Sequence, residues 1–246
     1  MITTRWRTWL AASVHGYTIT GGVLGVGAIL QAAERSFDRA FVYLLLALII
    51  DVTDGRLARA VGVAEHTPTV DGERLDALVD FLTFAVAPTV IAAMADLFPT
   101  PPFLWGAAMV GASLVRFTRR VAKGVGYYSR FPNVWNITVM YAFYLQWSPM
   151  VVGTIVVVVI ALMLLPGRYP HPSKHATRRL HLVIATVGIG IVAGVLLGAL
   201  PSRPWLLLSL VYPAFYVGQV LWLSAGATRR LQGPRRWFLL ITGNYR

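Results

Sequence analysis

Eight stretches of mostly apolar residues, each long enough to cross a lipid bilayer as a helix, recur along this chain of 246 residues. A spanning helix needs about 20 such residues. The stretches cover about residues 10–32, 40–62, 72–97, 102–120, 132–148, 149–166, 181–200 and 203–224. Only 13% of the residues are charged, whereas soluble domains average about 25%. We therefore predict an all-α, polytopic membrane bundle of about eight transmembrane helices. It would form a single membrane-embedded domain over residues 1–246, with its core at about 10–200.

Basic residues predict the orientation of this bundle. The loops on one side carry most of them: Arg5 and Arg7; Arg119, Arg120, Lys123 and Arg130; Arg168, Lys174, Arg178 and Arg179; Arg229, Arg230, Arg235 and Arg236. The opposite loops hold Arg35, Arg39 and Arg203. By the positive-inside rule, both termini and the turn after the second span face the cytoplasm. The net charge of +12 then reflects topology and attraction to membrane lipids, so no nucleic-acid partner is predicted.

Acidic residues are concentrated in one short segment. Seven of the ten lie between Asp51 and Asp80, and four of these fall into the pattern D-x2-D-G-x2-A-R-x12-G-x3-D-x3-D. Residues three or four apart share a helix face, so Asp51 pairs with Asp54, and Asp76 pairs with Asp80. Four carboxylates side by side need cations between them, and oxygen ligands suit Mg²⁺ or Mn²⁺. The pattern predicts a divalent-metal site. The absence of cysteine excludes thiolate ligands.

An alternative is that the first acidic pair serves structure alone, through ion pairs with Arg56, Arg59 or Arg74. Such ion pairs would need neither Gly55 nor Ala58. Small residues at these positions, and Gly72 beside the second acidic pair, let a flat ligand lie against the backbone. Ionisable residues inside a membrane usually line a functional cavity. These features favour a ligand site.

The acidic pattern resembles the signature of the CDP-alcohol phosphotransferases, and its gap of twelve residues, 60–71, is similar to that of their bacterial phosphatidylcholine synthase branch. Three further segments resemble that branch. They are VHGYTITGG (14–22), SLVRFTRRVAKG (113–124) followed by RFPNVWNITVMYAFYL (130–145), and the pair at 171–172. Together these matches extend over roughly two thirds of the chain.

The resemblance implies a membrane enzyme that transfers the phosphatidyl group from CDP-diacylglycerol to choline and releases CMP. Two divalent ions, Mn²⁺ or Mg²⁺, would be held by Asp51, Asp54, Asp76 and Asp80, with Asp80 also acting as the general base. The positions implied for CDP binding are Asp54, Gly55, Ala58, Arg59 and Gly72. The expected setting is a bacterial inner membrane, with the active site facing the cytoplasm and a homodimer as the assembly.

Recognition of the other two substrate groups is assigned to basic and aromatic residues. Arg116 and Lys123 match family positions and would bind the lipid phosphate, although Lys123 can equally be an ordinary loop charge. A quaternary ammonium is recognised by aromatic faces, and the candidates for choline are Tyr17, Tyr128, Trp135 and Tyr141. An interfacial aromatic belt is the alternative for each of these four. His15 is interpreted as a packed, hydrogen-bonded histidine rather than a metal ligand.

Two other functions stay open at this stage. The same chemistry could use serine, glycerol phosphate or inositol phosphate as the acceptor. A membrane transporter for cations could also use an aspartate cluster, but such carriers often contain inverted repeats and broken helices, which we do not find in this sequence.

Overall fold

A computed structural model describes residues 2–118, 127–128, 131–165, 169–170 and 178–230. The chain forms two compact units, one comprising Met1–Phe117 with Val134–Gly153 and the other Thr118–Asn133 with Thr154–Arg246. The first unit contains α1 (Ile2–Ala33), α2 (Phe37–Val61), α3 (Val63–His66), α4 (Gly72–Phe81), a π-helical segment (Leu82–Val86), α5 (Ala87–Met94), α6 (Pro102–Thr118) and α7 (Trp135–Tyr144). Helix α8 (Pro149–Leu164) follows, and the second unit then contains α9 (Arg178–Leu196), α10 (Ser202–Ser209) and α11 (Val211–Arg230). The second unit also contains two short strands, β1 (Tyr127–Tyr128) and β2 (Tyr169–Pro170), which pair in an antiparallel arrangement.

The helical class is as predicted, and three predicted spans appear as helices with the length and hydropathy needed to cross a membrane. These are Arg5–Ala33, Gly72–Met94 and Arg179–Leu196, counted over the described ranges. The 16-residue helix α8 is apolar but shorter. The second predicted span forms α2, whose 25 residues include charged side chains at both ends. The number of eight spans stays a prediction.

Two predicted spans are shorter or interrupted for identifiable reasons. The fifth is represented by α7, which has 10 residues and ends at Tyr144, shortly before Gln146 adopts a left-handed φ of 53°. The eighth is divided at Leu210 into α10 and α11. Pro213 has no amide hydrogen, so the carbonyl of Ser209 cannot receive its regular helical bond.

Close packing of α1 defines the interior of the first unit. A Cβ at Gly25 would lie 3.0 Å from Thr83 Cγ2 and 3.1 Å from Leu82 Cγ, so any larger residue would force these side chains of the π-helical segment to shift by a few tenths of an ångström. That segment begins directly after α4 and contains a bond from the Ala87 amide to the Leu82 carbonyl, five residues earlier. Pro88 accounts for this irregularity, because it cannot donate the α-helical bond to the carbonyl of Phe84.

In the second unit, His181 of α9 is completely buried against α11. Its Nε2 lies 2.7 Å from Gln219 Oε1, and the rings of Tyr212, Phe215 and Tyr216 surround it at centroid distances of 5.1–6.2 Å. A buried imidazole needs such a polar partner. The contact therefore joins α9 to α11 through one polar and several aromatic interactions.

Candidate metal centre

The first acidic pair lies in the last three turns of α2, which ends where the backbone demands a glycine. Gly62 adopts φ +71° and ψ 45°, and its amide bonds to the carbonyl of Ala58. This left-handed conformation is the usual helix terminator and costs little for glycine. The chain then turns through α3 and re-enters a helix at Gly72.

An aspartate caps the second acidic helix. The side chain of Asp71 accepts a hydrogen bond of 3.1 Å from the Arg74 amide, and its other oxygen lies 2.9 Å from Arg74 Nε. Capping satisfies one of the free amides at the start of a helix. From the sequence, no role is assigned to Asp71. An aspartate directly before a helical pattern was the available signal.

The structure brings one member of the first acidic pair together with both members of the second. Carboxylate oxygens of Asp51, Asp76 and Asp80 all lie within 4.8 Å of one another, the first on α2 and the other two on α4. Asp76 and Asp80 are one helical turn apart and project to the same side. The predicted contact between the two acidic helices is therefore observed, with three of the four aspartates converging on one point.

Protein cations do not neutralise this cluster in the part of the chain that the structure describes. The two ion pairs found there join Arg35 to Asp96 at 3.4 Å and Arg74 to Asp71 at 2.9 Å. Arg74 is thus paired with Asp71 and not with an aspartate of the cluster. It gives no support to the alternative that the first acidic pair serves only to form structural ion pairs. Three converging carboxylates with no ion pair to a described Arg or Lys fit a hard divalent cation, because oxygen donors of this kind are its preferred ligands.

The fourth aspartate occupies a different environment. Asp54 is only 5% exposed, and its Oδ2 accepts a hydrogen bond of 2.8 Å from the hydroxyl of Thr18 on α1. Asp54 is not among the three residues whose oxygens converge, and it stays a predicted metal and nucleotide ligand. The contribution of Thr18 was missed in the sequence, although the segment that contains it carries part of the family resemblance.

Helix α1 makes two further polar contacts around the acidic helices. Tyr17 Oη lies 2.9 Å from Thr53 Oγ1, and His15 Nε2 lies 3.0 Å from Thr67 Oγ1 in the turn before α4. His15 is 8% exposed, which confirms the interpretation of a packed, hydrogen-bonded histidine. Its ring also fills the space beside Gly72, where a Cβ would lie 3.2 Å from His15 Cε1.

The remaining positions implied for CDP lie on the last turns of α2. Arg59 is exposed, and its guanidinium folds back over Gly55, so that a Cβ at Gly55 would lie 3.3 Å from Arg59 Nη1. Ala58 packs against a small apolar cluster of Ala11, Val14 and Val63. The Arg59 guanidinium therefore lies beside the backbone of Gly55. The role of these positions in CDP binding stays a prediction.

The residues assigned to choline and lipid phosphate lie at several places. Trp135 is fully buried and its indole donates a 2.9 Å bond to Ser113 Oγ, and Tyr141, also on α7, is 5% exposed. Tyr17 is half-buried on α1, and Arg116 is half-buried near the end of α6. Tyr128 belongs to β1, but its side chain and the whole of Lys123 lie outside the described residues. All six assignments stay predictions.

Comparisons with a family model and with known proteins agree with the family resemblance found in the sequence. Residues 16–166 match the family model described as CDP-alcohol phosphatidyltransferase. A phosphatidylcholine synthase from Bradyrhizobium diazoefficiens is 32% identical over 73% of this chain and 67% of its own length. Phosphatidylcholine synthases from Rhizobium meliloti (31% identical, covering 84% of this chain and 87% of the relative) and Pseudomonas aeruginosa (30%, 93% and 94%) are also similar.

Proposed function

Because this chain belongs to the CDP-alcohol phosphatidyltransferase family, we propose that it is a membrane enzyme that makes phosphatidylcholine from CDP-diacylglycerol and choline, releasing CMP. The observation that carries this proposal is the convergence of Asp51, Asp76 and Asp80 within 4.8 Å. Three of the four signature aspartates thus lie close enough together to share a cation, which supports the proposal. The names of the similar proteins support choline as the acceptor.

In the proposed reaction, the choline oxygen forms a bond to the phosphatidyl phosphorus while the bond from that phosphorus to the CMP oxygen breaks. Asp80 takes the hydroxyl proton of choline, a general-base role suited to a carboxylate beside the reacting phosphate. Asp51, Asp54, Asp76 and Asp80 would hold two divalent cations, Mn²⁺ or Mg²⁺. When bound, these cations supply positive charge that offsets the charge developing on the diphosphate and on the departing CMP.

The nucleotide would lie along the last turns of α2. Arg59, which covers Gly55, is the cationic partner for a phosphate, and Gly55 leaves the backbone accessible once the guanidinium moves onto the ligand. Asp54, Ala58 and Gly72 complete the proposed CDP site. Arg116 and Lys123 are proposed to bind the lipid phosphate.

Choline carries no donor on its quaternary nitrogen, so its binding relies on aromatic faces, each contributing about 0.5–2 kcal/mol. Tyr17 is the proposed contact with a direct link to the acidic helix α2, because its hydroxyl is bonded to Thr53, which lies between Asp51 and Asp54. Tyr128, Trp135 and Tyr141 remain the other proposed contacts.

We further propose that the enzyme crosses a bacterial inner membrane eight times as a single domain and as a homodimer. The distribution of basic loop residues supports cytoplasmic termini and an active site open to the cytoplasm. Soluble choline and metal ions would then reach the centre from one side, while CDP-diacylglycerol enters from the bilayer.

The test is CMP release by purified protein supplied with CDP-diacylglycerol and Mn²⁺. We expect release with choline and none with serine, glycerol phosphate or inositol phosphate. CMP release with only one of those other acceptors would show that this acceptor, and not choline, is the substrate. Absence of release with every acceptor, combined with metal uptake into sealed vesicles, would indicate a cation transporter instead.

A further inference from the structure

The Thr18 hydroxyl donates a hydrogen bond to a carboxylate on a different helix, Asp54 on α2, whereas nearby threonines donate to backbone carbonyls of their own helices. The hydroxyls of Thr20, Thr53 and Thr83 each bond to the carbonyl four residues earlier, at 2.8–3.0 Å. This local bond is the usual one for threonine inside a helix. The Thr18 hydroxyl oxygen lies 3.4 Å from the Val14 carbonyl four residues earlier, but only 2.8 Å from Asp54 Oδ2.

The single proton of the Thr18 hydroxyl therefore points to Asp54. A carboxylate attracts a hydroxyl proton more strongly than a backbone carbonyl does, and the shorter distance agrees with this choice. Thr18 and Asp54 are 7% and 5% exposed, so water has little access to the contact. A buried carboxylate without a hydrogen bond would be costly.

The neighbouring pair of residues holds the same two helices in register. Thr53 donates its own proton to the Ile49 carbonyl at 2.8 Å, so its oxygen accepts from the Tyr17 hydroxyl at 2.9 Å. Two consecutive residues of α1 thus bond to two consecutive residues of α2. The Asp54 carboxylate can rotate about its Cβ–Cγ bond only by breaking its contact with Thr18.

We propose that Thr18 is a positioning residue that holds the Asp54 carboxylate in one orientation for a bound divalent cation. The inference rests on the metal site of the proposed function and extends that site to the first helix. Thr18 itself contacts neither cation nor substrate; it acts through Asp54.

The test is Mn²⁺ binding by the full-length protein in detergent, followed through the electron paramagnetic resonance signal of free Mn²⁺. Thr18→Val keeps the shape of the side chain but removes the donor, and we expect the Mn²⁺ concentration at half-saturation to rise about 10- to 100-fold, as for other groups that orient a metal ligand. Thr18→Ala, which removes the donor without adding a methyl group beside the carboxylate, should give the same shift. Thr18→Ser restores the hydroxyl and should bind like the wild type.

The matched control is Thr20→Val on the same helix, because the Thr20 hydroxyl bonds only within α1 and is exposed. We expect unchanged Mn²⁺ binding. The proposal is overturned if Thr18→Val and Thr18→Ala titrate like the wild type, if Thr18→Ser is as weak as Thr18→Val, or if Thr20→Val shows the same loss.

Measurement of CMP release on the same samples separates this inference from the proposed function. Wild-type protein that binds Mn²⁺ but forms no CMP with any acceptor would refute the enzyme assignment, while a shift in the Thr18 variants would still support the positioning role. Wild-type protein that binds no Mn²⁺ would overturn both.

Discussion

Replacement of Gly72 with alanine tests whether α1 is packed directly against the start of α4. An added Cβ would lie 3.2 Å from Cε1 and 3.8 Å from Nδ1 of His15. The ring cannot move away freely, because it is buried and its Nε2 lies 3.0 Å from Thr67 Oγ1. Thr67 uses its own proton on the Val63 carbonyl at 2.9 Å, so His15 is the donor and a displaced ring would lose this bond.

The expected magnitude follows from two opposing effects. Alanine in place of glycine inside a helix normally stabilises by about 0.5–1 kcal/mol. Overpacking in a tight interior costs about 1–3 kcal/mol. Because the second effect is larger, we expect Gly72→Ala to lower the free energy of unfolding by about 1–2 kcal/mol. In a His15→Ala background the space is open, so the same change should be neutral or stabilising, with a coupling energy of about 1–3 kcal/mol.

The assay is unfolding of the wild type, both single variants and the double variant in one detergent with EDTA, so that bound cations do not contribute. Gly111→Ala in α6 is the control, because a Cβ there would meet nothing within 4 Å. CDP titration of the same proteins reports any separate nucleotide role of Gly72. Equal losses of stability with and without the His15 ring, or a Gly72→Ala variant as stable as Gly111→Ala, would refute the packing role.

Three further predictions concern the acidic centre and its supporting turn. Asp80→Asn should reduce CMP release at least about 100-fold in a folded protein, because it removes a proposed base and a metal ligand; near-normal release would exclude both roles. EDTA should abolish CMP release and added Mn²⁺ or Mg²⁺ should restore it, whereas release that persists in EDTA would contradict a metal requirement. Asp71→Ala should lower the free energy of unfolding by about 1 kcal/mol or more through loss of the helix cap, while Arg74→Ala, which removes only an exposed ion pair, should cost about 0.5 kcal/mol or less; equal costs in thermal unfolding would argue against capping.

The acidic helices were predictable because both the pattern and the covalent spacing are local. A helix places Asp76 and Asp80 on one face whatever surrounds it, and the requirement for cations follows from charge alone. The long apolar segments gave the first, third and seventh spans for the same reason. In each case the property belongs to a single segment of the chain.

Contacts between segments were less accessible to sequence reasoning. Periodicity indicates which residues share a face of α1, but not that Thr18 meets Asp54 or that His15 fills the space beside Gly72. Those contacts depend on how closely two helices approach and at which register, which is decided by packing of residues far apart in the chain. The interruption at Leu210 was missed because the apolar pattern continues through it.

The π-helical segment changes which side chains of the third span lie on the same face before and after it. Each residue of a regular helix advances by about 100° around the axis, and a π turn contains one residue more than an α turn. The side chains of α5 are therefore rotated about the helix axis relative to the face that carries Asp76 and Asp80. Positions at which substitution reduces stability should therefore follow the α-helical period as far as Phe81. In α5 the same period should return, but displaced by one residue along the sequence.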